Sequence, residues 1–106
     1  MNIFRDSNDM KLQFKLEYVT AWGQDVRVEI TVKRRRGADL THAHQLNTQD
    51  GVNWSGEVVL HEKDAQSFSY NYFIGAGDEV VRREWCGVPR TFPYEQGKTF
   101  LLQDYW

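Results

Sequence analysis

The sequence predicts an all-β domain, an antiparallel β-sandwich of about six to eight short strands. Three observations carry that expectation. Val, Ile, Thr, Phe, Tyr and Trp make up about a third of the 106 residues, a strand-favouring composition. Apolar residues recur at every second position in several segments, the period of a half-buried strand. No segment of helical length holds the helical period of roughly 3.6 residues.

The elements follow in chain order. Met1 to Asp9 is polar, so residues 1–10 read as a leader and the domain is expected over residues 11–102. Leu12, Phe14, Leu16 and Tyr18 share one face of a first strand, with Lys11, Gln13, Lys15 and Glu17 on the other. The turn Trp22-Gly23-Gln24-Asp25 separates it from a second strand, on which Val26, Val28, Ile30 and Val32 alternate with Arg27, Glu29 and Thr31. Asp50-Gly51 precedes a third strand carrying Trp54, Gly56, Val58 and Leu60 on one face. Phe68, Tyr70, Tyr72 and Ile74 mark a fourth. After the turn Gly75 to Asp78, Glu79 to Trp85 and Thr99 to Leu102 are shorter candidates, separated by a turn-rich stretch from Pro89 to Gly97. Two aromatic residues close the chain, so residues 103–106 are expected to begin a linker to a further domain, the chain being a fragment.

Composition bounds function. With 41% hydrophobic and 26% charged residues the chain can bury a core and is not a disordered segment. A net charge of −2 argues against a nucleic-acid partner, which needs a basic surplus. No apolar run approaches a membrane-spanning length, so no membrane partner is expected. The single Cys86 excludes an intrachain disulfide and suits a reducing compartment, so a cytoplasmic location is expected.

Nothing in the chain argues for catalysis, for a metal or for a cofactor. His42 and His44 would place two rings on one side of a strand, but a third ligand at suitable spacing is missing, and a solvated loop or edge strand explains them. Cys86 has no neighbouring base in sequence, so it reads as a packing residue. Lys33-Arg34-Arg35-Arg36 could form a phosphate-binding patch; the simpler reading is a solvated hairpin end guarded against edge pairing. The aromatic residues are more informative. Trp22 lies in a turn between Thr20 and Gly23-Gln24, where a core residue is not expected. An exposed indole there offers a stacking platform for the apolar face of a sugar ring, with amides and carboxylates nearby for hydroxyls. Trp54 has the parity of Val58 and Leu60 and reads as core, whereas Trp85 fits either role.

The order of these pieces resembles a starch-binding domain, carbohydrate-binding module family 20. The segments LQFKLEYV, TAWGQD, VRVEITV, DGVNWSGEVVL, FSYNYFI and VVRREWCGVPRTF follow that family's sequence of strands and turns over residues 11–102. The EYxTAWGQ start, REWxGxxR and the closing DYW are similar to the first of the tandem modules that precede the catalytic domain in cytosolic-type 4-α-glucanotransferases of glycoside hydrolase family 77. The resemblance implies an immunoglobulin-like sandwich, noncatalytic, with an α-1,4-glucan and the catalytic domain of the same parent chain as partners. It implies two sugar sites. At the second, Thr20, Trp22, Gly23 and Gln24 match the stacking turn and Asp50 matches the acid of the facing loop. The facing aromatic position falls near Leu46 or Asn47. At the first, the Leu-Gly-x-Trp segment is replaced by KRRRGADLTHAHQL, the Lys position is Asn71, and the Trp-Glu pair reads Arg83-Glu84, or reaches Trp85 with a one-residue shift. The first site thus reads as degraded and the second as half kept. The alternative is an interaction module that lost its sugar sites and docks the catalytic domain or a partner subunit.

Overall fold

The computed structural model describes residues 9–84 and 90–106. Nine strands appear among them: β1 (Asp9–Glu17), β2 (Asp25–Arg34), β3 (Leu40–Gln45), β4 (Asn47–Thr48), β5 (Asn53–His61), β6 (Ala65–Ala76), β7 (Glu79–Arg83), β8 (Arg90–Pro93) and β9 (Thr99–Tyr105). One sheet has the order β4-β5-β1-β9. The other runs β3-β2-β6-β7, with β8 beside β6 as well. The two sheets face each other as a β-sandwich.

Alternation decides which face goes inward. Leu12, Phe14 and Leu16 from β1, Trp54, Val58 and Leu60 from β5, and Leu102 from β9 are buried on one sheet. Val26, Val28, Ile30 and Val32 from β2 and Phe68, Tyr70, Tyr72 and Ile74 from β6 meet them from the other. A one-residue slip would turn each set to solvent, so the pattern fixes register. Gly56 keeps the β5 parity yet carries no side chain. A Cβ there would sit 2.7 Å from Leu46 Cδ2, so the glycine makes room for the buried Leu46.

The structure corrects several expectations. The strand count is higher because β4 has two residues and β8 four, too short to show a period. One pair, β1·β9, is parallel, so the sandwich is not wholly antiparallel. Parallel neighbours need a long crossover, which alternation cannot reveal. β1 already begins at Asp9 and buries Met10, and β9 runs on through Gln103, Asp104 and Tyr105. The sandwich therefore takes in residues assigned to the leader and to the linker. Cys86 and Trp85 lie outside the described residues.

Candidate functional site

The turn between β1 and β2 is built by its own hydrogen bonds. Gln24 N–H donates to Ala21 O at 3.1 Å, and Ala21 N–H donates to Gln24 Oε1 at 2.9 Å. Gly23, at φ 82°, supplies the left-handed step that closes it. Trp22 stands at the tip with a relative exposure of 103%, touching no core.

The turn is fastened to the loop before β5. Tyr18 N–H donates to Val52 O at 2.8 Å, and Thr20 donates from both N–H and Oγ1 to Gly51 O, each at 3.0 Å. In that loop the Asp50 carboxylate accepts from Val52 N–H (2.9 Å), Asn53 N–H (2.8 Å), Asn53 Nδ2 (2.8 Å) and Thr48 Oγ1 (3.1 Å). These donors, Asn53 N–H first, hold the Asp50 carboxyl well below the usual carboxylate range. Between the two segments lies a cleft of about 470 Å³, lined by Thr20 to Gln24, by Thr48 to Gly51 and by the buried Trp54. A rigid exposed indole above polar walls can stack a flat apolar ring and bond its rim.

Five of the expected site residues thus meet at one cleft: Thr20, Trp22, Gly23, Gln24 and Asp50. Gln24 Oε1 and both Asp50 oxygens already accept internal bonds, so these two residues shape the cleft. Leu46 is a core residue, 1% exposed, and does not face Trp22 as a clamp. Asn47 lines an adjoining groove of about 320 Å³ with Thr48 to Asp50, Asn53 and Ser55. Thr48 and Gln49 complete the cleft wall, and nothing in their alternation marks them in sequence.

Asn71 and Glu84 do not join this cleft. Asn71 sits between the buried Tyr70 and Tyr72, on the outer face of its sheet, paired in register with Glu29. Glu84, with a side chain 6% exposed, holds Arg90 in a bidentate pair of 2.7 Å bonds and accepts Tyr72 N–H at 3.2 Å. Its carboxylate is committed to the fold because burying it unpaired would be costly. Arg90 also reaches Asp104 at 3.4 Å, and Asp104 Oδ2 accepts the hydroxyls of Tyr70 (2.7 Å) and Tyr72 (2.6 Å). Burial first, then the bond to Asp104, raises both tyrosines well above their ordinary range.

The other sequence candidates fall elsewhere. His42 and His44 lie on the edge strand β3 with ring centroids 6.3 Å apart; burial, then His42, pulls His44 below its ordinary value. No group of three or more His, Cys, Asp or Glu among the described residues could hold a metal ion. The basic run caps the β2–β3 hairpin, where Arg34 Nε donates to Ala38 O at 3.0 Å and Arg36 approaches Asp64 at 3.6 Å.

No family model matches the chain. In sequence it is similar to the 4-alpha-glucanotransferase DPE2 of Oryza sativa subsp. japonica, 28% identical over 111 aligned positions. That alignment covers 93% of this chain and 11% of the rice protein, so the chain spans about a tenth of its curated relative. Two solved structures share the fold over 93% of this chain. A family 15 glucoamylase from Hypocrea jecorina superposes with TM-score 0.65 at 18% identity, over 17% of its own chain. A leucine-rich repeat protein from Bacteroides thetaiotaomicron superposes with TM-score 0.57 at 19% identity, over 12% of its own chain. The chain is therefore related, over nearly all its length, to a short part of a carbohydrate-active enzyme.

Proposed function

We propose that this chain is a noncatalytic starch-binding module of the carbohydrate-binding module family 20 type that stacks an α-1,4-glucan on Trp22. The observation that carries the reading is the fully exposed Trp22, held on a hydrogen-bonded turn at the mouth of a polar cleft. The sequence similarity to a 4-alpha-glucanotransferase supports a glucan as the ligand and a 4-α-glucanotransferase catalytic domain as the partner in the parent chain. One stacked ring is worth about 1–3 kcal/mol by analogy with bases on aromatic platforms. After the cost of association that implies affinity of order millimolar. Such affinity is useful when tandem modules raise effective concentration on a polymer.

The test is a titration of intrinsic tryptophan fluorescence with maltoheptaose. A saturable change that disappears in Trp22→Ala supports the reading. A response that stays flat up to about tens of millimolar, where a single stacking contact still registers, refutes it.

A second reading has its own observation. Gln24, Asp50 and Glu84, three expected sugar ligands, spend their side chains on internal bonds. That pattern favours a module that docks its catalytic domain or a partner subunit, and the flat titration is its signature.

A further inference from the structure

The Trp22 cleft does not end at its own walls. Thr48, Gln49 and Asp50 line both the cleft and the adjoining groove. Asn53 and Ser55 belong to that groove and also to a third hollow of about 310 Å³, which ends at Gln103 and Tyr105. Through these shared lining residues the three hollows adjoin one another in a row, from the β1–β2 turn across the outer face of the β4-β5-β1-β9 sheet.

Strand register explains what lines it. Ser55 pairs with Asn47 on one side and Lys15 on the other, and Lys15 pairs with Gln103. This row crosses all four strands. Asn53, Glu17 and Tyr105 form a second row beside it. The intervening residues Trp54 and Leu16 are buried, so both rows face outward. With strands about 4.8 Å apart, four strands give a track of roughly 14 Å. The side chains of Ser55, Lys15, Glu17 and Gln103 are exposed and make no hydrogen bond or ion pair among the described residues, unlike those of Gln24 and Asp50.

The aromatic residues point the same way. Among the described aromatic side chains only Trp22 and Tyr105 are strongly exposed, Tyr105 at 70%. Trp22 lines the hollow at one end of this row and Tyr105 the hollow at the other. An open row of amide, hydroxyl and charged groups between two bare rings suits a polymer with alternating apolar faces and hydroxyl rims, and offers little to an apolar helix or strand.

We propose that this sheet face is a second binding segment, in which Tyr105 stacks a distal sugar of the same α-1,4-glucan chain that Trp22 holds. The proposal rests on the glucan-binding reading of Trp22. It adds that ligand length is read along the row Ser55, Lys15 and Gln103.

The test compares maltotriose with maltoheptaose on the 106-residue chain, with binding followed calorimetrically. The parent is expected to bind the longer sugar about tenfold more tightly, the gain of one further stacked ring. Tyr105→Ala is expected to remove that gain and leave maltotriose binding unchanged. Ser55→Ile, a strand-favouring substitution that blocks the row, is expected to do the same. Equal affinity of the parent for both sugars overturns the proposal and leaves the Trp22 site standing. A length gain that survives both substitutions also overturns it. Failure of the parent to bind either sugar overturns both readings.

Discussion

Asp104→Ala tests how the sandwich closes. Asp104 Oδ2 accepts two hydroxyls, from Tyr70 at 2.7 Å and Tyr72 at 2.6 Å, and Oδ1 lies 3.4 Å from Arg90 Nε. The tyrosines are 3% and 0% exposed, so removing the carboxylate strands two hydroxyls where water enters poorly. A hydrogen bond to a charged group contributes about 1.5–3 kcal/mol. Two of them set a loss of about 3–6 kcal/mol before relaxation. Two features reduce it. Arg90 keeps its bidentate Glu84 pair, so no charge is orphaned, and Asp104 is 16% exposed, so some water can follow. The expected cost is about 3–4 kcal/mol, a large part of a stability of about 5–15 kcal/mol for a domain of ordinary size. Urea unfolding should show a lower midpoint with an unchanged slope. Combining Tyr70→Phe, Tyr72→Phe and Asp104→Leu should recover most of the loss, because apolar replacement of all partners leaves nothing unsatisfied. A cost below about 1 kcal/mol, or an equal cost of Asp104→Ala in the double-phenylalanine background, would refute the reasoning.

Alkaline pH should probe the same cluster. Tyr70 and Tyr72 titrate above their ordinary range in the fold, so their contribution is whole below pH ~10 and lost as pH rises beyond it. Stability should fall by up to about 1.4 kcal/mol per pH unit for each tyrosine, and tyrosinate absorbance at these two positions should appear only with unfolding. Gly56→Val should cost about 1–3 kcal/mol, because its side chain enters the space of Leu46; a melting temperature equal to the parent's would contradict that packing. Trp22→Ala should leave urea stability within about 0.5 kcal/mol of the parent, since its ring touches no core. Asp50→Ala should speed amide exchange at Val52 and Asn53 by at least about tenfold, as their hydrogen bonds to the carboxylate disappear, and unchanged protection would mean the loop holds itself.

The core was legible because its signal is local. The period-two runs on the segments that became β1, β2, β5 and β6 name nearly every inward residue, and Trp54 fell on the right side of that alternation. Trp22 was legible for the complementary reason: an aromatic in a turn, between Thr20 and Gly23-Gln24, has no core to join. The parallel β1·β9 pair was not legible, because which strands become neighbours depends on crossovers and not on either strand's pattern. The fates of the polar residues were illegible as well. Asp50, Gln24 and Glu84 have the chemistry of sugar ligands, and the fold brings Val52, Asn53, Ala21 and Arg90 to their side chains instead. Asp104 and Tyr105 show the same division. By sequence they close a chain; by register one turns inward to two tyrosines 32 and 34 residues away, and the other turns outward beside Glu17. Sequence determined which residues are apolar, how they alternate and where the turns fall, since those are properties of neighbours along the chain. Only the tertiary structure decided which polar groups are already satisfied and which are left open to solvent, because that depends on what distant strands place within about 3 Å of them.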